Sequence, residues 1–528
     1  MIRIELSKSI KNTYGNVLDA FVDSVFEFVD LPLLPSQKNF APVEELGGPV
    51  VISSIEGNIP DNFPEGVYVR NGSNPLFGGL NSTKSVFGKS FQIWVEGEGM
   101  LHALYFGKNS YNNNNDSNWT VCYNNRYVET ETFKLEKQRN KPSFLPTVGG
   151  DSSAIVSAYL LNLMRFGKVN KYSSNTNVFE HAGKLYSITE DHMPQEINIS
   201  TLETLGNWTP WNRPFTSHPK RAPDTGELVM IGMNPMKPFA EIGVISADGK
   251  KLVHRADFKL DRCTYCHDFG ITQRLFKFSK ESYARIGVMP RYGDPDSIQW
   301  FQVQLNCTIH LFNCFEDGDD EVVVWGCRAL DSVIPGPYDP NSKANFDAKI
   351  GNGVLYDRPY EWRLNMRTGE VRERNLTVDT EMSMDFPMIN GNLTGLKNKF
   401  GYTQVLDVMA TSTANHLPKY GGLAKLHFEE LETRISSEGK KLEEGIKVEY
   451  HMFEKNTFCT GAAFVPNNKG GLLHEDDGWI VTFVHNEDTN TSQAFVIDAK
   501  KFSDKPVAKI SLPCRVPYGF HGTFIPMS

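Results

Sequence analysis

Phe215-Thr-Ser-His218-Pro219, Cys266-His267-Asp268-Phe-Gly-Ile271 and Thr308-Ile-His310-Leu-Phe-Asn313 are the stretches that decide the fold. Each sets one histidine in a short apolar or aromatic run, and the histidines stand 49 and 43 residues apart. A four-stranded propeller blade takes about 40–50 residues. The three histidines can therefore hold the same place in three successive blades, whose inner strands converge on one axis. Tyr518-Gly-Phe-His521-Gly-Thr-Phe524, near the C-terminal end, would supply a fourth and close the ring. Spacing alone leaves another reading open, because a histidine on an apolar strand is more often a satisfied core residue than a ligand.

Outward from these segments, the chain beyond residue 40 is written in short strand-like runs. Examples are Val50–Ile55, Gly66–Arg70, Val322–Trp325, Trp479–Val484 and Ala494–Ile497. Turn-formers separate them, among them Asp248-Gly249, Asp317-Gly318, Asn390-Gly391 and Asp476-Asp477-Gly478. Many short strands with frequent turns predict an all-β closed architecture. No rigid repeat is visible, so a propeller cannot be read from repetition alone. No linker rich in Pro, Gly or Ser divides the chain. Residues 39–528 are expected to form a single domain with insertions, after an N-terminal helix and linker over 1–38.

In that N-terminal segment Val17, Leu18, Phe21, Val22, Val25, Phe28 and Val29 recur at helical spacing, with Asp19, Asp23 and Glu27 on the other face. This predicts a helix packed on the body; a membrane-surface helix would normally carry basic residues there. Residues 152–168 read as a helix apolar on most sides, which must be buried or touch something apolar. The run of Asn, Asp and Ser over 112–118 reads as a polar loop. His254, His416, His427, His451, His474 and His485 lie in polar or turn-like surroundings and are expected at the surface.

Composition excludes several classes. The 528 residues are 40% apolar and 22% charged, as in a well-cored soluble protein. A net charge of −9 and the lack of a basic run argue against nucleic-acid binding. Eight cysteines are few, and the lone Cys263–Cys266 pair has no second pair to make a zinc ribbon. A reducing compartment is expected. No stretch reaches the roughly 18–20 apolar residues of a membrane span, and the N-terminus lacks a secretory pattern. The cytosol is the expected location, with the plastid as the alternative. No protein partner is implied.

The flanks of the four histidines resemble the carotenoid cleavage oxygenase family, over nearly the whole chain from Asn39-Phe-Ala-Pro-Val43 onward. Gly66-Val-Tyr-Val-Arg-Asn-Gly-Ser-Asn-Pro75 resembles the family's opening strand. Glu96-Gly-Glu98-Gly-Met-Leu-His-Ala103 resembles a second family motif, with Glu98 in place of Asp. Ser217-His-Pro-Lys220 with Thr225-Gly-Glu-Leu228, His267-Asp-Phe-Gly-Ile-Thr272, and His310-Leu-Phe-Asn313 with Glu321-Val-Val-Val324 resemble three ligand segments. Arg515-Val-Pro-Tyr-Gly-Phe-His521 resembles the fourth, in the wording of the plant enzymes that cut at 9,10 (9',10') double bonds. The resemblance implies a seven-bladed β-propeller with a dome of helices and loops over one face. It implies Fe²⁺ held by His218, His267, His310 and His521, and O₂ cleaving a conjugated alkene, a carotenoid or apocarotenoid, into two carbonyl products.

The resemblance also implies acidic partners behind three of the ligands. Glu190, in Ser187-Ile-Thr-Glu190, and Asp385, in Met384-Asp-Phe-Pro387, match two of those positions. At the third the family has Glu, whereas this chain reads Cys459-Thr-Gly461-Ala-Ala-Phe-Val-Pro466. His521 is the ligand expected to lose its acidic partner, with a backbone carbonyl, a water in the space left at Gly461, or the Thr460 hydroxyl as the substitute acceptor. Four neutral imidazoles leave the metal's charge unneutralised, unlike a two-His-one-carboxylate site. The substrate need not bind the metal. The protein's task is then to place one double bond beside it and exclude water, for which a tunnel lined from the chain's 34 phenylalanines is suited. Two alternatives stand beside this: the same cleavage of a stilbenoid or phenylpropanoid, and a non-catalytic propeller that binds an apolar ligand. No nucleotide-binding glycine pattern calls for an organic cofactor. Transient contact with a membrane surface is expected for collecting an apolar substrate.

Overall fold

In the computed structural model the described residues are 15–30, 38–108, 119–190, 192–262, 266–272, 274–280, 284–304, 306–329, 357–377, 382–413, 417–435, 441–467 and 474–527. Short apolar runs with turns between them pair with their sequence neighbours, so most sheets are antiparallel meanders. Among the described residues these sheets form seven blades. The first is built on Gly66–Ser73, Gly99–Lys108 and Trp119–Tyr127. Later blades begin at Asn177–His181, Lys220–Arg221, Arg274–Lys280, Cys307–Asp317, Met384–Met388 and Thr457–Pro466. A single pairing, Tyr420 with Cys459, joins the last two into one continuous sheet.

The core lies between blades. One buried apolar cluster fills each junction from the first blade to the seventh, beginning with Val67, Leu101, Val178 and Leu185. The others run through Tyr186 with Leu228, Val244 with Met289, Val288 with Val324, Trp325 with Leu426, and Leu423 with Ile480. Phe63, Tyr68, Val481 and Val496 pack the seventh junction, back onto the first blade. The sheets thus close into a ring.

Closure is made by chain ends. The C-terminal strand Gly522–Pro526 pairs antiparallel with Gly66–Ser73, in register from Gly522 opposite Arg70 to Pro526 opposite Gly66. Ile55–Gly57 adds to the outer strand of the seventh blade, while Val50–Val51 adds to the first. The expected single strand Val50–Ile55 is therefore two short strands on different sheets, because Ile52–Ser54 carries the chain from one blade edge to the next.

Above the ring sits a separate small sheet of Phe26–Val29, Ser82–Ser85, Gly88–Phe91 and Gly149–Gly150. The N-terminal helix, α1, covers residues 15–25 and stops there. Its expected continuation is instead the strand Phe26–Val29, since this β-prone segment gains ladder hydrogen bonds to Ser82–Ser85. Helix α2 is Glu131–Arg139 and α3 is Ser152–Phe166. Gly167 ends α3 in a left-handed conformation, φ 68°, which glycine adopts without strain. Ala154, Ala158 and Leu161 bury one face of α3, beside Val22 and Phe26. The other face leaves Val156, Tyr159, Leu160, Leu163 and Met164 exposed, so only half of its apolar surface finds cover.

Three histidines expected at the surface are buried: His427, His451 and His485. Each sits on a strand and meets a partner from a neighbouring segment. His427 reaches Glu449 at 2.7 Å, His451 the Phe502 carbonyl at 2.9 Å, and His485 the Ser492 hydroxyl at 2.9 Å. His254 is half-buried and His474 exposed, while His416 and the 112–118 loop lie outside the described residues.

Ring closure predicts the response to one substitution. Ile525 is buried between the first two blades. An unpaired buried charge costs about 3–5 kcal/mol, so Ile525→Asp is expected to lower unfolding stability by about 3 kcal/mol or more in chemical denaturation. A change under about 1 kcal/mol would show that the closing strand contributes little.

Candidate metal centre

The four histidines reach the ring's axis from four different blade entries. His218 precedes Lys220–Arg221, His267 lies in the 266–272 segment before Arg274–Lys280, His310 is in Cys307–Asp317, and His521 directly precedes Gly522–Pro526. The strand register slips between Thr308 and Leu311, a bulge that re-aims the His310 side chain. The three histidines, 49 and 43 residues apart, thus stand at or just before the first strand of three successive blades.

Their Nε2 atoms converge. His218 stands 3.1 Å from His267, His267 3.2 Å from His310, and His310 3.1 Å from His521. All four candidate ligand atoms lie within 4.8 Å of one another. Two donors about 2.1 Å from one ion are about 3.0 Å apart at a right angle and about 3.4 Å apart in a tetrahedron. The observed edges of 3.1–3.2 Å fall between these values, within the range for ligands of one ion.

The outer nitrogens fix the tautomers of two rings. His267 Nδ1 lies 2.5 Å from Glu190 Oε1, and His310 Nδ1 lies 2.8 Å from Asp385 Oδ1. An ionised carboxylate only accepts, so each Nδ1 carries the proton and each neutral ring turns its Nε2 lone pair inward. Two lone pairs facing at 3.2 Å repel unless a cation lies between them. A shared proton would relieve one contact only, and His310 Nε2 faces both His267 and His521. The donor set therefore fits a metal ion.

Burial and neighbouring charge set the protonation of the rings. Burial, then the adjacent histidines, holds His218 and His521 well below the usual imidazole value. His267 is buried too, yet the charge and hydrogen bond of Glu190, with the charges of Asp268 and Asp385, together raise it. Burial raises Glu190, but the charge and hydrogen bond of His267, with hydrogen bonds from Ser217 and the backbone, together leave it lowered.

Asp268 and Lys220 were in the quoted motifs but had been given no role. Asp268 accepts from Phe269 N at 2.7 Å and Leu311 N at 2.9 Å, and pairs with Lys220 Nζ at 2.7 Å. One carboxylate thus ties together the segments that carry His218, His267 and His310. Their adjacency to ligand histidines was the only signal in the sequence. Phe386 is a third missed residue. It holds φ 57°, unusual for a bulky side chain. Its ring centre lies 5.0 Å from that of His310 and 4.8 Å from that of His521. With Trp94, Phe520 and Phe40 it forms an aromatic wall at the centre.

The Gly461 corner differs from expectation. Among the described residues no carboxylate accompanies His218 or His521, as anticipated for His521. The space at Gly461 is filled, however. A methyl group there would overlap Arg70 Cγ and stand 3.0 Å from the Phe520 carbonyl, so no water pocket takes the missing carboxylate's place. The Gly461 carbonyl accepts from Tyr68 Oη and Thr482 Oγ1, both at 2.7 Å, and Thr460 Oγ1 accepts from Gly519 N at 2.7 Å. The Gly461 carbonyl and the Thr460 hydroxyl are thus engaged elsewhere.

The fold and this centre define a propeller with an axial four-histidine site. Residues 40–276 and 273–526 match the family described as retinal pigment epithelial membrane protein. A carotenoid 9,10(9',10')-cleavage dioxygenase 1 of Pisum sativum is 31% identical, the match covering 97% of this chain and 93% of that one. The structure resembles the lignostilbene dioxygenase of Pseudomonas brassicacearum, with TM-score 0.72, 20% identity, and coverage of 94% of this chain and 100% of the other. It also resembles a cobalt-substituted Synechocystis ACO, with TM-score 0.70, 18% identity, and coverage of 92% and 96%. The chain belongs to the retinal pigment epithelial membrane protein family, that of the carotenoid cleavage oxygenases.

The carboxylate contacts lead to a quantitative expectation. Removing such an outer partner typically costs roughly 10–100-fold in metal affinity or activity. Glu190→Gln and Asp385→Asn should each weaken metal binding by that order in a competition titration with a chelator. Unchanged affinity in both would show that the carboxylates do not support the histidines.

Proposed function

We propose that this protein is a non-haem Fe²⁺ dioxygenase that cleaves one conjugated double bond of a carotenoid or apocarotenoid with O₂, giving two carbonyl products. The 9,10 (9',10') bond is the first candidate, from the name of the pea relative. The observation that carries the reading is the set of converging Nε2 atoms, whose lone pairs call for a cation. His218, His267, His310 and His521 are the proposed ligands. The ion, when bound, supplies the O₂ chemistry that protein side chains lack.

The rest falls to the chain. Glu190 and Asp385 hold two imidazoles in the metal-binding tautomer, and their two negative charges balance a divalent ion. Asp268 keeps three ligand segments in register. Phe386, Phe520 and Trp94 give the alkene an apolar surface and exclude water from the site.

The decisive experiment incubates iron-loaded protein with a carotenoid, an apocarotenoid and a stilbene, with and without O₂, and identifies products by mass. Aldehydes or ketones from a polyene, formed only with O₂, support the proposal. Cleavage of the stilbene alone moves the substrate class. Turnover without O₂, or dependent on NADPH, overturns it. Replacing any one of the four histidines by Ala is expected to remove most activity and most bound iron, measured by elemental analysis.

An apolar substrate must be collected from where it dissolves, and we extend the proposal to transient contact with a membrane surface. Val156, Tyr159, Leu160, Leu163 and Met164 of α3 are exposed, as are Val17 and Phe21 of α1. No helix among the described residues is long and apolar enough to cross a membrane. Two partly inserted leucines are worth ~1–3 kcal/mol, so Leu160→Asp with Leu163→Asp should reduce vesicle binding roughly tenfold or more in co-sedimentation. Equal sedimentation would reject this face as the contact. The cytosol is the proposed location, and a fluorescent fusion confined to plastids would replace it with the alternative.

A further inference from the structure

Arg70 lies in the inner strand Gly66–Ser73, opposite Gly522 on one side and His102 on the other. Its side chain is fully buried, and among the described residues no carboxylate pairs with it. A guanidinium so placed is costly, because burial disfavours the charge unless it is paired and hydrogen-bonded. What it has are carbonyls. Nη2 donates to the Pro517 carbonyl at 2.6 Å and Nη1 to the Asn71 carbonyl at 3.4 Å, while the Phe483 ring centre lies 5.7 Å from Cζ. Three glycines make the seat. A methyl group at Gly72 or Gly519 would overlap Nη1, and one at Gly461 would overlap Cγ.

The segment that Arg70 grips carries the fourth histidine. Between Pro517 and His521 the backbone is clamped by hydrogen bonds to its surroundings. Gly519 N donates to Thr460 Oγ1 at 2.7 Å, Phe520 N to the Asn71 carbonyl at 2.9 Å, and Asn71 N to the His521 carbonyl at 3.0 Å. The His521 ring has no carboxylate behind it among the described residues, and the Asp268 bonds reach only the other three ligand segments.

We propose that Arg70 is a positioning residue for His521: seated through Gly72, Gly461 and Gly519, its guanidinium fixes the Pro517–His521 turn and so aims the fourth imidazole. It does through the backbone what Glu190 and Asp385 do through the rings of His267 and His310. The glycine at 461 belongs to this arrangement, since any side chain there would displace the Arg70 stem. The inference rests on the metal reading given above.

Cobalt(II) is the probe, in the full chain. Wild type, Arg70→Met, Arg70→Lys, His521→Ala and the double variant Arg70→Met/His521→Ala are loaded. The visible absorption spectrum of the bound cobalt and its rate of loss to a chelator are then read. Wild type that takes up no cobalt would reject the metal reading itself. Where wild type loads, Arg70→Met is expected to shift the spectrum and speed cobalt loss roughly 10–100-fold, the usual effect of losing a ligand's support. In the His521→Ala background the same substitution should change little, because its effect passes through that ligand. An unaltered spectrum and rate in Arg70→Met overturns the proposal. So does an equal acceleration with and without His521, which would mark Arg70 as a general support of the blade. If Arg70→Met does not fold, Arg70→Lys decides with the same signs: faster loss supports positioning, and wild-type loss overturns it.

Discussion

The antiparallel pairing of Gly522–Pro526 with Gly66–Ser73 is the constraint on which the rest depends. It turns a row of sheets into a ring, so that each blade has an apolar neighbour on both sides. It also fixes the axis. His521 directly precedes the closing strand, and Arg70 lies on the strand that receives it. The same hydrogen-bond ladder that closes the fold therefore brings the fourth histidine to the three carried by other blades. Stability and site assembly share one set of bonds.

Electrostatics at the axis follow from which rings have an acid behind them. Glu190 and Asp385 polarise His267 and His310, whereas burial among other imidazoles governs His218 and His521. Two carboxylates one bond further out would offset part of the charge of a bound cation. Asp268 adds no negative charge to this balance, because Lys220 pairs with it at 2.7 Å. Its contribution is geometric, and the bonds to Phe269 and Leu311 tie the second and third ligand segments into a unit.

Much of this was legible in the sequence, and what was not has a common cause. Strand content, turn positions and the blade-length spacing of His218, His267 and His310 are local or periodic properties, and they read directly. Partner choice is not local. Val50–Ile55 has the pattern of one strand, but its two ends meet Val121–Tyr123 and Ala508–Ile510, which no local pattern specifies. His427, His451 and His485 have polar neighbours in sequence, yet the fold supplies Glu449, the Phe502 carbonyl and Ser492 as partners and buries them. Phe386 was hidden for a different reason. Its left-handed backbone is sustained by the packing around His310 and His521, against the preference of the residue itself.

Gly461 shows how a missing group misleads when only its own neighbourhood in sequence is considered. A glycine where the family resemblance implies an acid suggests a vacancy, and a vacancy suggests a water. The volume instead belongs to Arg70, brought there from the first blade across the ring junction, and the backbone at Gly461 takes φ 57°, which suits glycine. The register slip between Thr460 and Ala462 gives that residue its place in the strand. Restoring a carboxylate at this one position would therefore meet two obstacles, the occupied volume and the left-handed backbone, before it could reach a histidine. The departure is a property of the pair formed by Arg70 and Gly461. It makes the support of His521 a matter of backbone geometry, where His267 and His310 are supported by charge.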